Sequence, residues 1–258
     1  MRKFETEKGD AGMAGGFVKK ESLNTLFEEF KKYNYIDPAL NEKYDVKRGL
    51  RNSDGTGVLA GLTQICNVHG YVINEGEKQP VDGELTFRGV NIRDLVHACN
   101  EEQRFGYEEV AYLLLFGSLP DKKQLEFFKM VLSQARALPT DFIQDMVIKA
   151  PSKDIMNKMG RSILALYSYD DFADENTLEG ELKKALYTIA RMPVIMVNSY
   201  QAKIGHYDNA STYYHPLRPE ESMAESILST LRPTREYTKE EALLLDTCLM
   251  LHAEHGGG

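Results

Sequence analysis

The spacing of apolar residues divides the chain into a short segment of β character and a long helical remainder. Residues 58–88 contain brief β-favouring runs interrupted by Asn-Glu-Gly and Val-Asp-Gly turn signals, which predicts two or three small strands. Elsewhere apolar residues recur three and four positions apart, the spacing of amphipathic helices. We predict helices at Glu21–Lys32, Asn91–Cys99, Tyr107–Phe116, Asp121–Ala137, Thr140–Lys149, Ser152–Tyr167, Thr177–Tyr200, Glu220–Leu231 and Lys239–His255. The fold class is therefore mainly α, with a small β-hairpin element near the N-terminus.

Several predicted helices carry residues suited to their ends. Asp121 follows a proline and is placed to cap the free amides of the next helix. Thr238 and Glu241 have the spacing of a capping box, in which each side chain accepts from the other's backbone N–H. Gly117 and Gly256 suit helix C-termini, where a left-handed residue is favoured.

The segments between these helices predict how the chain is organised. Residues 1–20 are rich in glycine and charge, which predicts a flexible start, and residues 36–57 form a polar, turn-rich connector. Residues 206–221 predict a polar, tyrosine-rich loop. Pro193 lies inside a helical pattern, so it is expected to kink that helix or to begin a new one. No Pro/Gly/Ser-rich linker separates two domains.

Composition narrows the class of protein. The 258 residues are 42% hydrophobic and 27% charged, which is typical of a globular protein rather than a disordered one. A net charge of −8 argues against nucleic acid or an anionic membrane as the main partner. Cys66, Cys99 and Cys248 are too few and too dispersed for a disulfide framework or a zinc site, so we expect core cysteines in a reducing compartment. The N-terminus has no apolar signal core, and no run is long enough for a membrane helix, which predicts a cytoplasmic protein.

Three sets of residues have an ordinary structural interpretation. Glycines 55, 57 and 61 lack the spacing and the preceding strand of a dinucleotide-binding loop. Four scattered histidines are expected at the surface or in packing: His69, His97, His206 and His215. Large side chains at helical spacing predict core packing: Tyr112, Phe116, Phe127, Phe128 and Met130.

The C-terminal stretch LHAEHGGG places two histidines, His252 and His255, three residues apart at the end of an apolar helix. Because that helix is apolar on most sides, we expect it to be buried, with His255 continuing a stripe through Cys248 and Leu251. A histidine at this end of a helix donates two hydrogen bonds to an anion when protonated. Three alternatives remain: histidines bonded to carbonyls in the core, a metal-binding pair, or a simple helix stop.

The same stretch resembles the His-x-Asp/Glu-His signature of the citrate synthase family. Further segments resemble the family in its order and at about its spacing: GLRNSDGTGVLAGLTQICNVHGY, GELTFRGVNIRDLV, YEEVAYLLLFGSLP and ARMPVIMVNSYQ. The resemblance covers residues 36–258. It implies a mostly helical large domain, a smaller domain that closes over the substrates, and a homodimer.

The resemblance also implies a reaction and the residue that serves it. The family condenses acetyl-CoA with oxaloacetate to give citrate and CoA, with acetyl-CoA as co-substrate and without a bound cofactor or metal. An aspartate removes a methyl proton, histidines stabilise the enol and protonate the ketone, and arginines hold the carboxylates. By position, oxaloacetate binding falls on His255. Gly256 stands where the family often has glutamate.

The family's remaining motifs are absent from the chain. Its Gly-Pro-x-His-Gly stretch, its Pro-Gly-Tyr/Phe-Gly-His stretch, its catalytic aspartate and its arginines are expected after Gly258. We therefore expect residues 1–35 to form a flexible segment plus first helix, residues 36–258 a partial large domain, and the small domain to be absent. No catalytic residue is then expected in this chain, which would be inactive alone. The alternatives are a non-catalytic interaction module of the same fold and a 2-methylcitrate synthase.

Overall fold

A computed structural model describes residues 18–46, 58 and 61–254 of the chain. Within these ranges the protein is mainly helical, with one antiparallel sheet in the order β1-β2-β3, which confirms the predicted fold class. The strands are β1 Cys66–Asn74, β2 Glu77–Phe87 and β3 Val90–Asn91. The helices are α1 Lys20–Phe30, α2 Ala39–Lys43, α3 Ile92–Glu101, α4 Tyr107–Phe116, α5 Lys122–Ala135, α6 Ile155–Leu166, α7 Leu178–Tyr207, α8 Met223–Leu231 and α9 Lys239–Leu251. A π-helix, Ile143–Ile148, precedes α6, and a 3-10 turn, Tyr167–Tyr169, follows it.

The hairpin between β1 and β2 turns where the sequence predicts it. Glu75 and Gly76 both have positive φ, at 51° and 85°. Two consecutive left-handed residues allow a two-residue turn whose twist matches that of the strands. The Asn-Glu-Gly prediction is confirmed.

The second predicted turn, Val-Asp-Gly at residues 81–83, is wrong. These residues lie inside β2, where the register shifts: Tyr71 pairs with Pro80 and His69 with Glu84. The three residues are therefore a bulge opposite Gly70, and a bulge uses the same residue types as a turn.

Several predicted helices are shifted by a few residues at their ends, and α9 ends at Leu251, short of the predicted His255. Larger differences occur elsewhere. The predicted helix at Thr140–Lys149 is a π-helix over part of that range, and the predicted connector contains the short α2. Helix α7 extends to Tyr207. It also continues through Pro193, so the alternative of a new helix at that residue is wrong. The proline lacks an N–H, so the carbonyl of Ile189 loses its usual helical donor.

The predicted caps are confirmed where the structure describes them. Asp121 Oδ1 accepts from the amides of Lys123 and Gln124, each at 2.8 Å. Gly117 ends α4 with φ 82°. Gly256 and residues 1–17 of the segment predicted to be flexible, residues 1–20, lie outside the described residues. Lys20, at the end of that segment, already begins α1.

The described residues form two compact units, each with its own core. One unit contains residues 18–27 and 126–242, and its core includes Phe142, Val147, Ile195 and Ala202. The other contains 28–46, 58, 61–125 and 243–254. The core of this second unit joins the sheet to three helices through Cys66, Phe87, Ile92, Leu95, Cys99, Val110, Leu113 and Met250.

Alanine substitutions at two glycines test where the backbone requires glycine. At Gly117 an added Cβ would lie 2.4 Å from Tyr33 Cβ, and its φ is left-handed, so we expect Gly117→Ala to reduce the free energy of unfolding by about 1–3 kcal/mol. Gly160 is inside α6, and a Cβ there meets nothing within 4 Å. We expect Gly160→Ala to stabilise by about 0.5–1 kcal/mol. Urea unfolding measures both changes in the free energy of unfolding. Equal effects of the two substitutions would contradict the requirement for glycine at position 117.

Candidate functional site

The helix that leads to the predicted substrate histidine, α9, is fixed firmly at its start. Thr238 N donates to Glu241 Oε2 at 2.9 Å, and Glu241 N donates to Thr238 Oγ1 at 3.2 Å, which confirms the capping box. Arg232 adds a two-pronged ion pair to Glu241 at 2.8 and 2.7 Å. The Arg232 hydrogen bond, followed by the Thr238 amide, lowers the pKa of Glu241 to about 2.

This cap has a pH dependence with a definite sign. Because the pKa of Glu241 falls from 4.5 to about 2 in the folded protein, its contribution to stability is complete above 4.5 and is lost as the pH falls towards 2. Glu241→Gln keeps an acceptor for Thr238 but removes the charge, so we expect a flatter pH dependence over that range. Arg232→Gln should flatten it less, because the Thr238 amide still stabilises the charged carboxylate, and the double variant should add little to Glu241→Gln. Thermal unfolding at several pH values measures this, and unchanged slopes would contradict it.

The side of α9 that is buried differs from the side predicted. Ala242, Asp246 and Met250 are buried, one turn apart. Cys248 is exposed, and so is Leu251. The expected buried stripe from Cys248 through Leu251 is therefore wrong, because the buried face is the one that carries Asp246. On the opposite side Leu244 remains 68% exposed among the described residues.

Asp246 joins α9 to the beginning of α4. Its side chain is only 1% exposed, and its oxygens accept from the amides of Gly106, at 2.7 Å, and Tyr107, at 3.3 Å. These amides belong to the N-cap and the first residue of α4, where N–H groups have no partner within the helix. A negative group at this end also complements the helix dipole.

A positively charged side chain, Arg88, lies beside the C-terminal end of α4. Arg88 donates to the Leu114 carbonyl from Nε at 3.1 Å and from a terminal nitrogen at 2.9 Å. Asn34 accepts from Arg88 at 2.8 Å and donates to the Leu115 carbonyl at 2.9 Å. Partial burial lowers the pKa of Arg88. Helix α4 is thus held at both ends and gives α9 a rigid support.

The junction of α4 and α9 is closely packed. A Cβ on Gly106 would lie 2.4 Å from Cys99 Sγ and 2.7 Å from Met250 Sδ, so glycine is needed there. Burial raises the pKa of Cys99 to about 11 and that of Tyr107 to about 12, which keeps both groups neutral near pH 7. Cys99 is therefore a packing residue and not a reactive thiolate.

After α9, the structure describes the chain as far as Glu254. His252 is exposed, and its Nδ1 lies 2.8 Å from the Cys248 carbonyl oxygen. Because a carbonyl only accepts, Nδ1 carries the proton in this contact. Ala253 packs against the core. His255, the predicted oxaloacetate ligand, lies outside the described residues, as do most of the glycines of the rejected dinucleotide pattern.

The structure also locates the other residues singled out from the sequence. Cys66 and Cys99 are buried as predicted, whereas Cys248 is exposed. His69, His97 and His206 are exposed, and His215 contacts the Arg232 carbonyl at 3.0 Å. Tyr112, Phe116 and Phe128 are core residues, whereas Met130 is exposed, contrary to the prediction. Among the described residues, no three His, Cys, Asp or Glu side chains are grouped to hold a metal ion.

No motif in the sequence marks the pairing of Asp246 with Gly106. The available signal was a carboxylate inside an otherwise apolar stretch of α9. Such a carboxylate, when buried, must find hydrogen-bond donors. The donors are 140 positions away, so their identity was not accessible from local patterns.

Comparison with known proteins gives consistent matches. Residues 51–258 match the family model described as citrate synthase, C-terminal domain. The citrate synthase of Saccharolobus solfataricus is 30% identical over 210 residues, covering 81% of this chain and 48% of that protein. That of Haloferax volcanii is 29% identical over 219 residues, covering 82% and 50%. A 2-methylcitrate synthase of Mycobacterium tuberculosis is 25% identical over 168 residues, covering 65% and 37%.

Solved structures show the same fold. The crystal structure of citrate synthase from Pyrobaculum aerophilum has a TM-score of 0.63 at 24% identity, covering 81% of this chain and 51% of that one. No helix in the described ranges has the length and apolar character required to cross a membrane. The chain spans about half the length of the relatives that it matches. The family model covers well over half of the chain, and the chain therefore belongs to the citrate synthase family.

Proposed function

We propose that this chain supplies one half of an enzyme that condenses acetyl-CoA with oxaloacetate to give citrate and CoA. The observation that carries the proposal is the family match, which runs through the His-x-Glu-His stretch to residue 258. The anchoring of α9 supports it, because a substrate ligand needs a rigid support.

Within this proposal His255 binds oxaloacetate by donating a hydrogen bond to one of its oxygens. The base that removes the methyl proton, the acid that protonates the ketone and the arginines that hold the carboxylates come from the half that the relatives have and this chain does not span. Acetyl-CoA is a co-substrate, and no bound cofactor or metal takes part. Residues 36–258 are then proposed to be part of the large domain.

The complete enzyme is proposed to be a cytoplasmic homodimer. Exposed apolar side chains on α9, at Leu244 and Leu251, favour association of the chain by itself. A second candidate substrate is propionyl-CoA, the acyl donor of 2-methylcitrate chemistry, and the match to a 2-methylcitrate synthase favours it.

The test is a thiol-release assay with acetyl-CoA or propionyl-CoA and oxaloacetate. We expect the 258-residue chain alone to release no CoA above background, because general base, general acid and anion-binding arginines are missing from it. The coding sequence after Gly258 separates the proposal from its main alternative. Continuation into Gly-Pro-x-His-Gly supports the enzyme, whereas a stop codon supports a non-catalytic module. Robust CoA release by the chain alone would refute the proposal.

A further inference from the structure

A cavity of about 560 Å³ lies between the π-helix Ile143–Ile148, helix α7 and the loop that precedes α8, in the unit that contains residues 126–242. Its volume is within the range of about 300–1,000 Å³ found for pockets that hold small molecules. Apolar side chains form much of its lining, among them Phe142, Ile143, Ile148, Val194 and Leu217. The cavity can therefore cover the apolar part of a ligand.

The backbone beside the cavity is unusual in two places. Asp141, which lines the cavity, has a φ of 61°, a left-handed conformation that few residues other than glycine adopt. The π-helix that follows lines the cavity through Ile143, Gln144 and Ile148. Backbone of both kinds is rare and is found frequently at functional sites. These features support the choice of this cavity as a candidate binding site.

The uncharged polar groups of the lining offer acceptors to a ligand. Asn198 Nδ2 donates to the Val194 carbonyl of its own helix at 2.7 Å, which leaves the side-chain oxygen of Asn198 as an acceptor. His215 Nε2 lies 3.0 Å from the Arg232 carbonyl oxygen. Because a carbonyl only accepts, Nε2 carries the proton of the neutral ring, and Nδ1 is then an acceptor. Such a lining favours a ligand that donates hydrogen bonds.

The charge of the lining points the same way. Among the described residues that line the cavity, Asp141 is the one Asp, Glu, Lys or Arg, and it is exposed. Lys149 also interacts with Asp141, but its ammonium group donates to Asp145 at 2.6 Å. That hydrogen bond is the main cause of the raised pKa of Lys149, and Asp141 contributes least to it. The Asp141 carboxylate thus remains accessible to a cation in the cavity.

We propose that this cavity binds a small organic cation, in which an ammonium group pairs with Asp141 and an apolar body packs against Ile143, Ile148 and Val194. An ammonium group has three donors and no acceptor, which suits a lining of acceptors. A carboxylate ligand would instead meet the negative charge of Asp141. The inference goes beyond the proposed function and does not depend on it.

The probe is phenethylamine, which is a cation near pH 7, titrated into the full chain by calorimetry and by saturation-transfer NMR. Hydrocinnamate has the same ring on a chain that ends in a carboxylate, and it serves as the ligand control. We expect phenethylamine to bind once per chain. Hydrocinnamate should bind at least about tenfold more weakly, because its charge is repelled by Asp141.

Two substitutions in the lining test the location. Asp141→Asn removes the charge but keeps a residue type that accepts the left-handed conformation, so the chain should stay folded. Gln144→Lys adds a cation at an exposed position of the lining. Each should weaken phenethylamine by about three- to tenfold. The matched control is Asp171→Asn, which removes the same charge from an exposed position outside the lining and should change the affinity by less than about twofold.

Weaker binding in Asp141→Asn and in Gln144→Lys, but not in Asp171→Asn, supports the site. The proposal is overturned if phenethylamine does not bind, or if either substitution in the lining leaves its affinity unchanged. It is also overturned if Asp171→Asn weakens binding as much as Asp141→Asn does, or if hydrocinnamate binds as tightly as phenethylamine.

Discussion

Asp246→Ala is expected to lower the free energy of unfolding by about 2–4 kcal/mol. The carboxylate is almost fully buried and accepts from the Gly106 and Tyr107 amides, so its removal leaves one buried and one partly buried donor without this acceptor. Asp246→Asn keeps one acceptor oxygen but turns an NH₂ group towards the second amide, and about 1–2 kcal/mol is expected. Urea unfolding measures both losses.

A local measurement separates this effect from general destabilisation. Native-state hydrogen exchange at the Gly106 and Tyr107 amides should accelerate in both variants, and most in Asp246→Ala, because these are the donors that lose their acceptor. The control is Asp82→Asn, an exposed carboxylate in β2, which should stay within about 0.5 kcal/mol of the parent. If Asp246→Ala cost less than about 1 kcal/mol, or left the Gly106 amide protected, the anchoring role would be wrong.

The predictable part of this fold consists of features set by neighbouring residues. The Asp121 cap, the Thr238–Glu241 capping box and the left-handed Gly117 each depend on partners within four positions. The turn at Glu75 and Gly76 is equally local. The residues of such caps and turns act in the same way in many proteins, so a short sequence pattern is sufficient to predict them.

The features that were mispredicted depend on distant residues. Whether Asp82 and Gly83 form a turn or a bulge depends on how β2 pairs with β1. Whether Cys248 or Asp246 faces the core depends on α4, which lies far away in the sequence. A helix that is apolar on most sides does not reveal which side is covered, and here partners far away in the sequence, among them the donors at Gly106 and Tyr107, decide it.

The resemblance names a candidate ligand, His255, which stays a prediction, but it does not indicate which residues hold α9 in place. A histidine near the end of α9 follows from the resemblance of its signature. The Asp246 bonds that hold α9 against α4, and the contacts of Arg88 and Asn34 that hold α4, emerged from the structure. A residue that holds a helix in place, and does not itself contact a substrate, is not marked by a short sequence motif.

In a complete enzyme that contains this chain, His255→Ala is expected to lower kcat/KM by about 10²–10³-fold. An imidazole that donates to an oxaloacetate oxygen stabilises negative charge as it develops, and alanine leaves that oxygen without a donor. The KM for oxaloacetate should rise more than the KM for the acyl-CoA, because the lost contact is to the oxo acid. Steady-state thiol-release kinetics with each substrate varied in turn measure this split.

The matched control is His252→Ala, three residues earlier. Its ring is exposed and its Nδ1 contacts the Cys248 carbonyl of its own helix, and the resemblance gives oxaloacetate binding to His255 instead. We expect kcat/KM within about threefold of the parent, since surface substitutions change energies little. If the two alanine variants lost activity equally, the defect would come from the end of α9 as a whole. If His252→Ala lost more, the assignment of the two histidines would be reversed, and His252 would be the ligand that the family signature requires.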